Sequence, residues 1–280
     1  MSDRLTHRLW LDGIALWSPT LPGWDAAQQA LRGEAVAGAP TSVLPRPAPE
    51  LLAANERRRA PDAVLVALEV ATRALAQSGQ RAADVASVFC STHGDLAVTD
   101  ALCKTLATDP LLLSPTRFHH SVHTAATGYR AIGSGSAAAS TALASFDESF
   151  AVGLLEACVQ CEADAQPVML VAYDTPACGP LVSVNRSRGL LAVALVLVPA
   201  RSVKSQWELD WSLQPGSAAV PPLRSAAAQA LAANASAAAL PLFEALALGD
   251  NCSLAWPLSA ALHLQLRLHR LPLRAPDAAA

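Results

Sequence analysis

Hydrophobic positions along this 280-residue chain follow three different rhythms. The opening stretch Leu9–Pro19 (LWLDGIALWSP) alternates and ends in a proline, which predicts a strand and a turn. A proline-rich connector then runs through about Ala60, and each of its prolines biases the preceding residue away from helix. From Pro61 the apolar positions Val64, Leu68, Ala71 and Leu75 keep helical spacing, with Gly79 just past the end. ASVFCST (86–92) predicts a short buried strand. Val98, Leu102 and Leu106 predict a second helix that ends near Asp109–Pro110. An alanine-rich run reaches Ser145, and a third helix is expected over 147–161, opened by Asp147 and Glu148 as suits a helix N-terminus. PVMLVAYD (167–174) and GLLAVALVLVP (189–199) are unbroken apolar strands, the pattern of strands covered on both faces.

This order, β-α-β-α-β-α-β-β, describes a layered α/β domain over residues 1–200. Beyond Pro199 the pattern changes to QWELDWSL, an alternating strand, followed by helices within 224–248. The closing strand LHLQLRLHR puts Leu262, Leu264, Leu266 and Leu268 on one face and His263, Gln265, Arg267 and His269 on the other. Residues 201–271 are read as an α+β extension of the same unit, and 272–280 as a disordered tail.

Composition narrows the possibilities. The chain is 52% hydrophobic and 15% charged, with a net charge of -3, enough apolar material for a sizeable core without disulfides. Its apolar runs are too short to span a bilayer. The N-terminus lacks a signal-like apolar stretch, so a cytoplasmic location is expected. Six cysteines are too sparse for a disulfide framework. The longest basic run, Arg57-Arg58-Arg59, is flanked by Glu56 and Asp62, which argues against nucleic acid; it suits a solvated helix or a contact with an acidic carrier.

Candidate chemistry is thin. His119 and His123 are four apart, but no carboxylate or third ligand accompanies them, and Cys158-x-x-Cys161 lacks a second pair, so no metal and no cofactor are expected. Neither a Gly-x-Ser-x-Gly elbow nor a phosphate-binding glycine loop is present.

The segments FCSTHGD, LSPTRFHHSVHTAATGYRAI, STALAS and DESFAVGLLEA, in that order, resemble the N-terminal half of β-ketoacyl-acyl carrier protein synthases. They are most similar to the chain-length-factor-like subunits of aryl polyene and xanthomonadin-type pigment pathways. The resemblance covers about residues 8–200, with weaker agreement to about 270. It implies a thiolase-like half fold whose order of elements matches the one read from periodicity.

In active members of that family a cysteine sits in a Thr-Ala-Cys turn at a helix N-terminus, where helix dipole and backbone amides favour thiolate and oxyanion. Here the match falls on Ser140-Thr141-Ala142-Leu143, and leucine cannot attack a thioester. Ser140, Thr141 and Ser145 carry hydroxyls but need a neighbouring base. The family's histidine contexts do not occur after residue 200. The resemblance therefore implies a non-catalytic subunit that pairs with a full-length ketosynthase and meets an acyl carrier protein bearing its acyl chain. Phe118, His120, Val122, His123 and Tyr129 are candidates for the partner interface or tunnel wall, the ordinary alternative being that they pack within this chain. Arg57, Arg58 and Arg59 are candidates for the carrier-protein contact. Two other readings remain: a small synthase or acyltransferase using a serine or histidine, and a carrier-binding scaffold.

Overall fold

The computed structural model describes residues 7–34, 45–185 and 187–272. Part of the proline-rich connector, and all of the expected tail except Pro272, lie outside the described residues. The elements run β1 (His7–Trp17), α1 (Trp24–Leu31), α2 (Ala54–Arg59), α3 (Asp62–Ser78), β2 (Ala86–Cys90), α4 (Leu96–Thr108), α5 (Pro115–His120), α6 (Ala125–Ser134), β3 (Ser140–Leu143), α7 (Ser149–Ala163) and β4 (Val168–Asp174). They continue through β5 (Leu191–Val198), β6 (Trp207–Pro215), α8 (Ala226–Ala230), α9 (Leu240–Leu248), β7 (Cys252–Ser259) and β8 (Leu262–Arg270). The order β-α-β-α-β-α-β-β expected for the first 200 residues is present, with short helices added between its members.

All strands join one sheet in the order β3-β2-β4-β5-β1-β6-β8-β7. β2 runs parallel to β3 and β4, and the remaining neighbours are antiparallel. The central strands β4 and β5 are buried along their whole length, so their side chains go to two separate cores. On one face α3 packs against Ala15, Trp17, Val171 and Val196. This helix is apolar on nearly every side, and Gly79 ends it in the left-handed conformation, which a residue without a Cβ adopts freely. On the other face lie α7, α9 and α1, over Leu9, Leu170, Leu195 and the inward row of β6 and β8.

The amphipathic reading of the last strand holds. Leu264, Leu266 and Leu268 are fully buried, while Arg267 is exposed and His263 and Gln265 are half-buried. Several elements depart from the sequence reading. The stretch expected to be a connector contains α2 and also α1, whose Trp24 meets Phe243 edge-on with ring centroids 5.7 Å apart; α1 buries Ala27 and Leu31, four apart, but eight residues are too few for period alone to mark a helix. Strand β7 has no counterpart in the sequence reading; it carries Pro257, which is tolerated because β7 is the sheet's outer strand. Its pairing with β8 also shifts register between Pro257 and Ser259.

Close approach of α3 to β1 depends on Gly13. A Cβ there would overlap the backbone carbonyl oxygen of Ala74 and sit 3.1 Å from Val196 Cγ2. Gly13→Ala should therefore lower stability by about 3 kcal/mol, measured as a shifted urea midpoint with an unchanged slope.

Candidate functional site

The C-terminal ends of β2, β3 and β4 converge on a buried carboxylate. Asp174, the last residue of β4, is fully buried. Its Oδ1 accepts from Ser91 Oγ (2.9 Å) and the His93 amide (3.1 Å), and its Oδ2 from the Thr92 amide (3.1 Å) and Ser236 Oγ (2.8 Å). Burial pushes the carboxyl up from its ordinary range, while these four donors pull it back. The Asp174 carbonyl accepts from Asn234 Nδ2 (3.2 Å), which also donates to the Gly189 carbonyl (2.9 Å). The Asp174 side chain thus orders the loop after β2 and the turn before α9, and Asn234 ties its main chain to the segment before β5.

Above this floor lies a cavity of about 1590 Å³ whose lining includes His93, Phe146, Asp147, Val182, Arg188 and Val220. Phe146 forms the turn between β3 and α7 with φ 47°, the left-handed region that is costly for an aromatic residue. Its carbonyl accepts from Ser149 Oγ (2.7 Å) and Thr92 Oγ1 (3.2 Å), and the Ser145 amide donates to Ser149 Oγ (2.9 Å). The Phe146 ring is 80% exposed.

Leu143 occupies a different environment. It is the last residue of β3, in register with Cys90, half-buried and packed against the core beneath α7. Ser140 and Thr141 are engaged elsewhere: Ser140 Oγ is 2.9 Å from Ser87 Oγ, and Thr141 Oγ1 accepts from Gln160 Nε2 at 3.0 Å. Neither of these hydroxyls is bonded to an imidazole or a carboxylate.

The five interface candidates divide into two sets. Phe118, Val122 and His123 are exposed. His120 is buried, with its Nε2 3.0 Å from the half-buried Tyr129 hydroxyl, so that α5 is fastened to α6. His119 and His123 do not share a helix, since α5 ends at His120. Arg57, Arg58 and Arg59 form the last turn of α2; Arg58 and Arg59 are exposed, and Arg57 Nη1 donates to the Pro49 carbonyl at 3.3 Å. Cys158 and Cys161 are fully buried in α7. Burial raises both thiols, Cys161 to about 12, which makes them inert. No group of three potential metal ligands occurs among the described residues, and none of their helices is long and apolar enough to cross a membrane.

Sequence reasoning did not reach Asp174, Ser236 or Asn234, because partners 60 or more positions apart leave no local signature. Phe146 had one available signal, its place immediately before the acidic pair that opens the third helix.

Comparison with known proteins accounts for this frame. A model of the family described as beta-ketoacyl synthase, N-terminal domain, matches residues 24–257. The chain belongs to that family. Among solved structures, a chain of the ketosynthase (ApeO) in complex with its chain length factor (ApeC) from Xenorhabdus doucetiae is similar at 19% identity and a TM-score of 0.68, covering 94% of this chain and 100% of that one. The ishigamide ketosynthase/chain length factor gives 15% identity and a TM-score of 0.64, over 95% of this chain and 100% of that one. A beta-ketoacyl synthase from Burkholderia phymatum gives 11% and 0.64 over the same shares. At these identities the likeness establishes the thiolase-like α/β fold. No curated protein matches the chain.

Two predictions come from this geometry. Asp174→Ala strands four donors in a buried place and should cost about 3–5 kcal/mol, read by urea denaturation. His120 is held below the ordinary imidazole value by burial first, then by the charge of His119, with Asp95 opposing. The unfolded chain therefore takes up this proton first on acidification. Stability from neutral His120 is complete above about pH 6.5 and declines as pH falls below it. Comparing wild type with His120→Gln at pH 7.5 and 5.5 should show the larger acid loss in wild type.

Proposed function

We propose that this chain is a non-catalytic, chain-length-factor-like subunit that pairs with an active β-ketoacyl synthase and helps enclose the acyl chain presented by an acyl carrier protein. The observation that carries the reading is the edge of the sheet at β3. This strand pairs only with β2, and an exposed strand edge is a template for another chain. Gln160 of α7 reaches Thr141 on β3, and α6 also packs near the strand. These helices expose Ile132 (84%) and Val159 (42%), and Leu111, Phe118 and Val122 extend the exposed apolar surface along neighbouring segments. Large exposed apolar side chains grouped around an open strand suit a protein partner.

The second support is chemical. The hydroxyls of Ser140 and Thr141 are bonded to Ser87 and Gln160, with no imidazole or carboxylate partner, which favours a supporting role over the small-acyltransferase reading. Similar folds in the ApeO–ApeC complex and the ishigamide ketosynthase/chain length factor agree with a partner role. A carrier-protein contact through Arg58 and Arg59 fits the exposed last turn of α2, and an aryl polyene pathway and a cytoplasmic setting belong to the same proposal.

Co-expression with a full-length ketosynthase from the same organism should yield a stable heterocomplex by size exclusion. Ile132→Asp together with Val159→Asp should weaken that complex at least about tenfold while leaving the melting temperature of the isolated chain unchanged. Absence of any complex at tens of micromolar would refute the reading.

A further inference from the structure

We propose that the turn Phe146-Asp147-Glu148, rather than Leu143, stands where a ketosynthase carries its nucleophile, and that it disables the position twice over. The exposed aromatic ring lines the cavity, and the two carboxylates of the first turn oppose the negative charge that a thiolate or an oxyanion would bring. This rests on reading the chain as a non-catalytic member of its family.

A nucleophile of this type needs a solvent-reaching position at the start of a helix, where unpaired amides face outward. Leu143 meets neither condition. Its carbonyl is tied to the Ser91 amide at 3.3 Å and its side chain packs against the core. Phe146 meets both: it begins the turn of 3-10 helix that leads into α7, it is exposed, and it lines the cavity together with Asp147. The left-handed backbone of a strand-to-helix elbow is retained there although the residue is no longer a nucleophile. The hydroxyls of Thr92 and Ser149 still clamp its carbonyl.

Charge makes the replacement more than the loss of one side chain. Asp147 and Glu148 fall on the first turn, where the helix end is positive and acidic groups are stabilised. They occupy the potential that an oxyanion would otherwise use. The other titratable or charged groups around the cavity are His93 from the loop after β2 and Arg188 from the opposite wall. Asp174 lies beneath, with four donors already engaged.

Thiol labelling tests this in the full chain carrying Cys103→Ser, which removes the exposed native thiol. Iodoacetamide labelling read by peptide mass spectrometry should modify the thiol of Phe146→Cys at least about ten times faster than that of Leu143→Cys at neutral pH. Adding Asp147→Asn and Glu148→Gln to Phe146→Cys should lower the pH midpoint of labelling by about one unit. Equal or faster labelling in Leu143→Cys, or a midpoint that does not move, would overturn the assignment. Phe146→Gly should melt at or above the wild-type temperature, because glycine accepts the left-handed backbone; a lower melting temperature would contradict the elbow itself. None of these readouts needs a partner subunit, so their failure is distinct from failure of complex formation.

Discussion

The carboxylate of Asp174 is the contact on which the functional end of this molecule depends. Strands β2 and β4 deliver their C-terminal ends side by side, and the loops leaving them have backbone amides that neither the sheet nor a helix can satisfy. One buried anion accepts two of those amides and two hydroxyls. Replacing it leaves several donors unpaired at once, whereas replacing any one donor leaves three contacts in place. The approach of Thr92 to the Phe146 carbonyl follows from it, while the segment before β5 is held by Asn234, which donates to the main-chain carbonyls of Asp174 and Gly189.

The family frame does not by itself decide what chemistry, if any, is done at the start of α7. Packing demands are the same for an active and an inactive member: Gly153 must stay small because a Cβ would come within 2.7 Å of Cys90 Sγ, so α7 can lie close on β2 whether or not its N-terminus does chemistry. What can change is the set of groups exposed at that N-terminus, where here the Phe146 ring and the Asp147 carboxylate line the cavity. Fold and reactivity are therefore carried by different residues on the same helix.

Much of the fold was legible in the pattern of side chains. Unbroken apolar runs marked β4 and β5 as central, and the strict alternation of β8 assigned its buried face residue by residue. Short elements were not legible: α5 has only six residues and α6 is rich in alanine and glycine, and their junction is tied by the bond between His120 and Tyr129. The interface candidates were visible as a cluster in sequence, but which of them turn inward depends on where α5 ends. Asp174 looked like any strand-terminal aspartate, since its partners Ser91 and Ser236 come from distant parts of the chain.

Pro257 gives the sheet an asymmetry between its two borders. β3 ends the sheet with a short strand open to pairing. At the far border β7 carries a residue without an amide hydrogen, next to a register shift against β8, and such an edge is a poor template. Strand addition is thereby favoured at one border over the other, which works against the open-ended filaments that two receptive borders would permit.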